Sequence, residues 1–150
     1  MMYYFGYGSN LALRVMDQVC PGYRVVGAAR LDGYRLAFTR YSVTWQGGVA
    51  DVVPSHRQVV WGRLYDITDT CLVSLDVKES YGVGYTRFKC TVFGVDGQRY
   101  DAITYGVIDK SEDEYPATAA YKSTILEGAY ECDFPPDYMV FLSTIPVVKA

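Results

Sequence analysis

The stretch MYYFGYGSNL, from Met2 to Leu11, decides the fold class because it joins a strand pattern to a helix start through a glycine turn. Its first six residues are rich in aromatic side chains, which favour extended backbone, and they predict a strand from Met2 to Tyr7. Two glycines then indicate a turn, after which Ser9 or Asn10 is a candidate N-cap for a helix that runs to about Cys20. We therefore expect the chain to open with a strand, a tight turn and a helix.

Short β-rich segments and helical segments alternate irregularly along the rest of the chain. The strand candidates are RVVGAAR from Arg24, YRLAFT from Tyr34, VADVVP from Val49 and QVVWGRLYDI from Gln58 to Ile67. Thr68 or Asp69 is placed to cap a short helix after the last of these. Asp96 and Gly97 separate two further β-rich runs and predict a two-residue hairpin turn.

Two helices are predicted to finish the chain. The first covers ATAAYKSTILEGAY, and the second is opened by Pro135 and Pro136. Because strands and helices do not follow a regular βαβα rhythm, we expect the α+β class, with a mixed, antiparallel-rich sheet or small barrel and helices around it. A length of 150 residues fits a single domain over 1–150.

Composition and charge exclude several classes of function. Half of the residues are apolar and the net charge is −3, as in an ordinary globular protein. No basic patch favours binding to nucleic acid or to an anionic membrane. No apolar run reaches the length of a membrane span, and the N-terminus lacks the pattern of a secretory signal. We therefore expect a cytoplasmic protein.

The four cysteines are Cys20, Cys71, Cys90 and Cys132, and none forms a C-x-x-C pair. This spacing argues against a zinc knuckle or a redox motif. We expect buried free thiols in a reducing compartment.

The turn after the first strand resembles an anion site only in part. Unpaired backbone N–H groups and a helix start can bind an anion. However, the turn lacks the lysine and spacing of a phosphate-binding loop, and Leu11 breaks the dinucleotide-binding pattern. By itself the turn is either a tight structural connection or a loop for a small carboxylate or carbonyl oxygen.

Hydrolase chemistry with a serine, cysteine or metal has little support. His56 is the only histidine, it lies in the polar stretch PSHRQ, and no G-x-S-x-G segment is present. We expect His56 to be a solvated loop residue. Neither H-E-x-x-H nor a carboxylate cluster is present, so we expect no metal and no cofactor.

Glu79 is the carboxylate in the most unusual surroundings. It follows the predicted helix TCLVSLDVK, and Tyr81 and Tyr85 lie close by in sequence. The negative end of the helix dipole and the aromatic rings both disfavour a charged carboxylate, which suits proton transfer. The alternative is a solvated residue at a helix end that pairs with Lys78 or Arg87.

Several blocks together resemble one known family. They are YFGYGSNL (4–11), ARLDGYRLAF (29–38), WQGGVADVVPS (45–55), VVWGRLYDI (59–67), SLDVKESYGVGYTR (74–87) and YKSTILEGA (121–129). In this order, over nearly the whole chain, they resemble the γ-glutamylcyclotransferase family, also called AIG2-like. The chain departs from a common member pattern in having Ser80 rather than glycine after the glutamate.

The resemblance implies a fold, an activity and a set of site residues. The implied fold is a compact α+β domain with a small barrel-like core, and the implied activity is release of 5-oxoproline from a γ-glutamyl amide, as in glutathione metabolism. The resemblance assigns acid and base catalysis to Glu79. It assigns substrate binding to Tyr7, Gly8, Ser9, Asn10, Leu11, Tyr85 and Tyr105.

The chemistry of a γ-glutamyl amide agrees with this assignment. The substrate supplies its own nucleophile, the α-amine, so the enzyme has to hold it folded and move a proton. A γ-glutamylamine cyclotransferase-like activity, with an alkylamine as leaving group, remains open, as does a non-catalytic γ-glutamyl-binding module. The expected partner is a small molecule, and the resemblance is compatible with a homodimer that no segment requires.

Overall fold

Five strands form a closed barrel at the centre of the protein. The computed structural model describes residues 2–149. The strands are β1 (Met2–Gly6), β2 (Arg24–Ser42), β3 (Gly47–Ile67), β4 (Tyr85–Gly94) and β5 (Arg99–Val107). They are ordered β1-β3-β2-β4-β5, and a parallel pairing of β1 with β5 closes the barrel. The expected α+β class with an antiparallel-rich, barrel-like core is confirmed.

Four helices surround this barrel among residues 2–149. They are α1 (Leu13–Val19), α2 (Asp69–Lys78), α3 (Ala119–Cys132) and α4 (Pro136–Ser143). The side chain of Thr68 accepts a hydrogen bond from the backbone N–H of Cys71, which caps α2 as predicted. Nowhere in this described range is a helix long and apolar enough to cross a membrane.

The strands β2 and β3 are longer than the sequence predicts. The candidates beginning at Arg24 and Tyr34 belong to one strand, and those beginning at Val49 and Gln58 belong to the next. The register of β2 on β3 shifts at three points, two of them beside Gly27 and Gly33, whose φ angles are +145° and +81°. At these points the strand bends around the barrel instead of ending, because glycine adopts positive φ without steric cost. The prediction of short separate strands was wrong for this reason.

The helix predicted to start at Ser9 or Asn10 is also different in the structure. A 3-10 turn occupies Ser9–Leu11, and α1 begins only at Leu13. Neither the turn nor α1 has a side-chain cap. The two polar side chains instead make contacts across the fold, Ser9 with Lys78 and Asn10 with Glu79. A contact between residues so far apart in sequence could not be read from local spacing.

The expectation of four free thiols is corrected for one pair. Cys20, at the end of α1, and Cys71, in the first turn of α2, form a disulfide across a separation of 51 residues. Their Cα atoms lie 5.0 Å apart because the two helices pack side by side. Cys90 and Cys132 are free, and burial raises the pKa of the Cys90 thiol to about 12. A disulfide that closes a loop of this length commonly stabilises a protein by about 2–4 kcal/mol.

Helix α3 packs directly against the 3-10 turn. A methyl group added at Gly128 of α3 would collide with the backbone between Leu11 and Ala12. The Leu11 side chain is fully buried at this contact. From the other side, the hydroxyl of Tyr65 on β3 donates a hydrogen bond of 2.6 Å to the carbonyl oxygen of Asn10. The turn is therefore fixed between the barrel and one helix.

Candidate active site

A cavity of about 400 Å³ opens beside the 3-10 turn. Its walls come from the turn, from the C-terminal end of α2 and from the connection between β2 and β3. Seven of the eight site residues expected from the family resemblance line it: Tyr7, Gly8, Ser9, Asn10, Glu79, Tyr85 and Tyr105. Leu11 does not, because its side chain is buried towards α3 and its N–H donates to the carbonyl of Gly8 within the turn.

Glu79 lies at the C-terminal end of α2, as predicted, and its side chain is 16 % exposed. Its Oε1 accepts a hydrogen bond of 3.3 Å from the side-chain amide of Asn10. That amide also donates to the hydroxyl of Tyr4, at 2.7 Å. No other carboxylate lines the cavity within the described part of the chain.

Lys78 and Arg87, the two pairing partners considered for Glu79, differ in the structure. The Nζ of Lys78 lies 3.5 Å from Oε1 of Glu79 and donates a closer bond of 3.0 Å to the hydroxyl of Ser9. Arg87 pairs instead with Asp76, its Nε lying 3.0 Å from Oδ1. Glu79 is thus neither solvated nor tightly neutralised.

The side-chain oxygen of Asn10 is a buried acceptor without a partner. Asn10 is 3 % exposed, and its Oδ1 has no hydrogen-bond partner among residues 2–149. A buried polar atom without a partner costs free energy, and this one belongs to a residue of the cavity wall.

The backbone of the turn forms part of the wall of the same cavity. Among the described residues, the N–H groups of Gly8 and Asn10 donate to no backbone carbonyl. A methyl group added at Gly8 would lie 3.1 Å from Cβ of Ala50 and 3.2 Å from the hydroxyl of Tyr121. Glycine therefore lets the turn approach the cavity floor closely.

Tyrosine rings form most of the cavity wall, and hydrogen bonds within the protein hold them in place. The hydroxyl of Tyr7 donates to the carbonyl of Tyr105 at 2.6 Å, and that of Tyr85 donates to the carbonyl of Ala50 at 2.7 Å. Tyr105 donates to Oδ1 of Asp76 at 2.6 Å. Burial raises the pKa of Tyr7 and of Tyr85 well above the ordinary value of 10.0, so both rings stay protonated at neutral pH. Because each hydroxyl has one proton to donate, these three rings shape the wall rather than donate to a ligand.

Several lining residues were missed by the sequence reasoning, notably Arg40, Trp45 and Tyr121. Tyr121 accepts a hydrogen bond of 3.0 Å from the N–H of Ala50, and Trp45 packs edge-on against its ring. Trp45 and Tyr121 lie in WQGGVADVVPS and YKSTILEGA, two of the blocks that carry the family resemblance. Their place in those blocks could have identified them as candidate site residues. Arg40 lies outside all of these blocks, and nothing in the sequence pattern indicated that it would line the cavity.

Residues that would support other chemistry lie elsewhere. His56 is exposed, and it lies on β3 rather than in a loop. Neither histidine nor cysteine lines the cavity in the part of the chain that the structure describes. No group of three or more metal-ligating side chains occurs within 2–149.

A family model describes most of this chain. The model named Gamma-glutamyl cyclotransferase, AIG2-like, matches residues 4–130, a range that includes all the site residues expected above. The chain belongs to this family.

Individual members of the γ-glutamyl cyclotransferase family agree with the match. The chain is 31 % identical over 147 residues to the γ-glutamylcyclotransferase of Bos taurus, covering 95 % of this chain and 77 % of that one. It is 30 % identical to the Homo sapiens protein of the same name, with the same coverage. A solved structure named γ-glutamyl cyclotransferase superposes with a TM-score of 0.92 at 27 % identity, over 99 % of this chain and 90 % of that one.

Proposed function

We propose that this protein is a γ-glutamylcyclotransferase that converts γ-glutamyl-amino acids into 5-oxoproline and a free amino acid. In this reaction the substrate's α-amine attacks its own γ-carbonyl, a C–N bond closes the five-membered lactam, and the original amide C–N bond breaks. One proton leaves the attacking amine and one reaches the departing amine, so no water, metal or redox group is consumed. The observation that carries the proposal is Glu79, the one carboxylate among residues 2–149 that lines this cavity walled by tyrosines.

Glu79 is the proposed proton carrier. The substrate ammonium first loses one proton to solvent and becomes the attacking amine. As the new C–N bond forms, Glu79 takes the second proton from that nitrogen, as a general base, and then gives it to the departing amine, as a general acid. Asn10 supports this transfer by orienting the carboxylate, since its side-chain amide donates to Oε1 of Glu79. The cavity holds the folded substrate so that amine and carbonyl meet, and such enforced proximity can lower a barrier by about 7–11 kcal/mol.

The 3-10 turn is the proposed grip on the γ-glutamyl group. The free N–H groups of Gly8 and Asn10 suit either the α-carboxylate or the developing oxyanion, and the Ser9 hydroxyl lies between them in sequence. Tyr7, Tyr85 and Tyr105 act as rigid walls. Leu11 contributes by fixing the turn rather than by touching substrate.

Two further functions compete with this one. A γ-glutamylamine cyclotransferase-like activity uses the same Glu79 chemistry with an alkylamine as leaving group. A non-catalytic γ-glutamyl-binding module uses the cavity alone. The partly buried carboxylate favours an enzyme, because a binding site has no need of a proton carrier.

The decisive experiment measures 5-oxoproline release by Glu79→Gln. We expect this variant to lose about 10²–10⁴-fold in kcat while keeping the fold, with a smaller loss of affinity for γ-glutamyl-alanine, because the amide cannot carry the proton. The matched control is Glu112→Gln, an exposed carboxylate outside the cavity, which should retain full activity. Product is followed by chromatography with γ-glutamyl dipeptides, glutathione and γ-glutamyl amines as substrates.

Each outcome separates the candidate functions. Wild-type turnover by Glu79→Gln would refute the mechanism but not the activity. Binding without product from any substrate would establish the binding module. A cytoplasmic location, a single domain and a homodimer stay predictions, which fractionation, limited proteolysis and light scattering test.

A further inference from the structure

Arg40 is a cation of the cavity wall without a hydrogen-bond or ion-pair partner among the described residues. It lies on β2 opposite Val49, its side chain is partly buried, and it lines the cavity. Among residues 2–149 its guanidinium makes no hydrogen bond or ion pair, whereas Lys78 in the same wall is bound to Ser9 and Glu79. A partly buried guanidinium without an anion is a site for an arriving one, because its five donors match a carboxylate.

The surrounding structure holds Arg40 in the wall. A methyl group added at Gly84 would lie 2.7 Å from Cζ of Arg40, so the guanidinium packs directly on the backbone of the segment that follows Glu79. The positive charge also reaches Tyr85, where it lowers the pKa of the phenol against the larger effect of burial. Arg40 thus lies against the same wall as the proposed catalytic carboxylate.

The balance of charge in the cavity indicates which ligand Arg40 takes. The charged lining groups are Arg40, Lys78 and Glu79, which leave one positive charge in excess. A γ-glutamyl-amino acid has one ammonium group and two carboxylates, a net charge of −1, while a γ-glutamyl amine with a simple alkyl group has none. With the turn on the α-carboxylate and Glu79 on the ammonium group, the γ-glutamyl half is accounted for, and the second carboxylate, on the leaving group, is left for Arg40.

We propose that Arg40 binds the carboxylate of the leaving amino acid and thereby selects γ-glutamyl-α-amino acids over γ-glutamyl amines and amides. This inference rests on the proposed function and deepens it. It decides between the two cyclotransferase activities, since only an amino acid offers Arg40 a carboxylate.

The test compares γ-glutamyl-alanine with γ-glutamyl-alaninamide, which differ only in that carboxylate. We expect the wild type to favour γ-glutamyl-alanine in kcat/KM by about 10- to 100-fold. Arg40→Met should remove most of this preference by lowering kcat/KM for γ-glutamyl-alanine while leaving the amide within about threefold. Arg40→Lys keeps the charge but lacks the planar guanidinium, so its preference for γ-glutamyl-alanine should lie between those of the wild type and Arg40→Met. The control is Arg99→Met, which removes a charge that is 69 % exposed and outside the cavity.

The outcomes also separate this inference from the proposed function. An unchanged preference in Arg40→Met, or equal losses on both substrates, would overturn the role of Arg40 and leave the cyclotransferase activity standing. Calorimetry on Glu79→Gln, with and without Arg40→Met, measures the same selectivity as binding. If wild type releases no 5-oxoproline but this binding still depends on Arg40, the proposed activity fails and the carboxylate site stands. If the binding does not depend on Arg40, the site is refuted whatever the activity.

Discussion

Asn10 links the two halves of the site through one side chain. Its amide donates to Tyr4 and to Glu79, and its carbonyl oxygen is buried without a partner among the described residues. The contact with Glu79 orients the carboxylate. A residue from the turn therefore positions a residue that follows it by 69 positions.

Substitution of Asn10 separates orientation from binding. We expect Asn10→Ala to lower kcat by about 10- to 100-fold, because an unoriented carboxylate meets the amine less often. When Asn10→Ala is added to Glu79→Gln, the affinity for γ-glutamyl-alanine should change less. Asn10→Asp keeps the volume and an acceptor but cannot donate to Glu79, so it should lose kcat to a similar extent.

The measurement is kcat and KM for γ-glutamyl-alanine, with circular dichroism and thermal unfolding to check the fold. Full activity in Asn10→Asp would contradict an orienting role. A loss of kcat in Asn10→Ala but not in Asn10→Asp would assign the role of Asn10 to its side-chain oxygen rather than to its N–H donors.

Among the elements, α2 and α3 decide where the two halves of the site meet. Helix α2 carries Glu79 at its end and is joined to α1 by the Cys20–Cys71 disulfide. Asp76 of α2 also accepts a hydrogen bond from Tyr105 of β5, which fixes the helix end on the barrel. Helix α3 presses the 3-10 turn against that same barrel.

The substitution Gly128→Ala sets the packing of α3 on the turn against helix propensity, because the two predict opposite changes in stability. In an isolated helix, alanine is favoured over glycine by about 1 kcal/mol. In this fold we expect Gly128→Ala to lower the free energy of unfolding by about 1–3 kcal/mol, because the methyl group collides with backbone that cannot move freely. Activity should fall as well, since the displaced backbone is that of the turn.

Urea unfolding measures the stability change. The matched control is Ser123→Ala, at an exposed position of the same helix, which should be neutral or slightly stabilising. Stabilisation by Gly128→Ala would show that α3 is free to shift away from the turn.

At the scale of the whole molecule, buried tyrosines make stability depend on alkaline pH. The chain has fifteen tyrosines, and burial raises the pKa of Tyr4, Tyr7 and Tyr85 well above 10.0. These phenols keep their protons in the fold and lose them in the unfolded chain. Their contribution to the free energy of unfolding is complete below pH 10 and is lost as the pH rises further. Above pH 10 ionisation of these phenols stabilises only the unfolded state.

We therefore expect the free energy of unfolding to fall steeply above pH 10, by about 1.4 kcal/mol per pH unit for each tyrosine that behaves this way. Urea titrations between pH 9 and 11, with phenolate absorbance as a second signal, measure this slope. Tyr7→Phe should reduce the slope by the contribution of one buried tyrosine. Tyr130→Phe should leave it unchanged, because that side chain is 73 % exposed in the fold. An equal effect of the two substitutions would contradict the assignment to buried rings.

Local patterns were sufficient for much of the fold. Thr68 caps α2 and Pro136 opens α4, as predicted. The β4–β5 hairpin lies where predicted, but its connection covers residues 95–98 rather than only Asp96 and Gly97. In each case the deciding interaction lies within a few residues along the chain. The strand β2 was divided wrongly, because a glycine that bends a strand and one that ends it have the same local signature. The strand β3 continues through the polar residues 55–57, where Arg57 has a φ of +66°.

The sequence by itself determined the fold class and the family and made Glu79 the candidate for the proposed proton carrier, because propensities, turn residues and ordered blocks are properties of neighbours along the chain. Only the tertiary structure decided that Cys20 meets Cys71, that Asn10 bonds Glu79 and that Arg40 lines the cavity. These contacts join segments that are tens of residues apart. Their distances are set by how the barrel closes and by how the helices pack on it, and no local pattern records either.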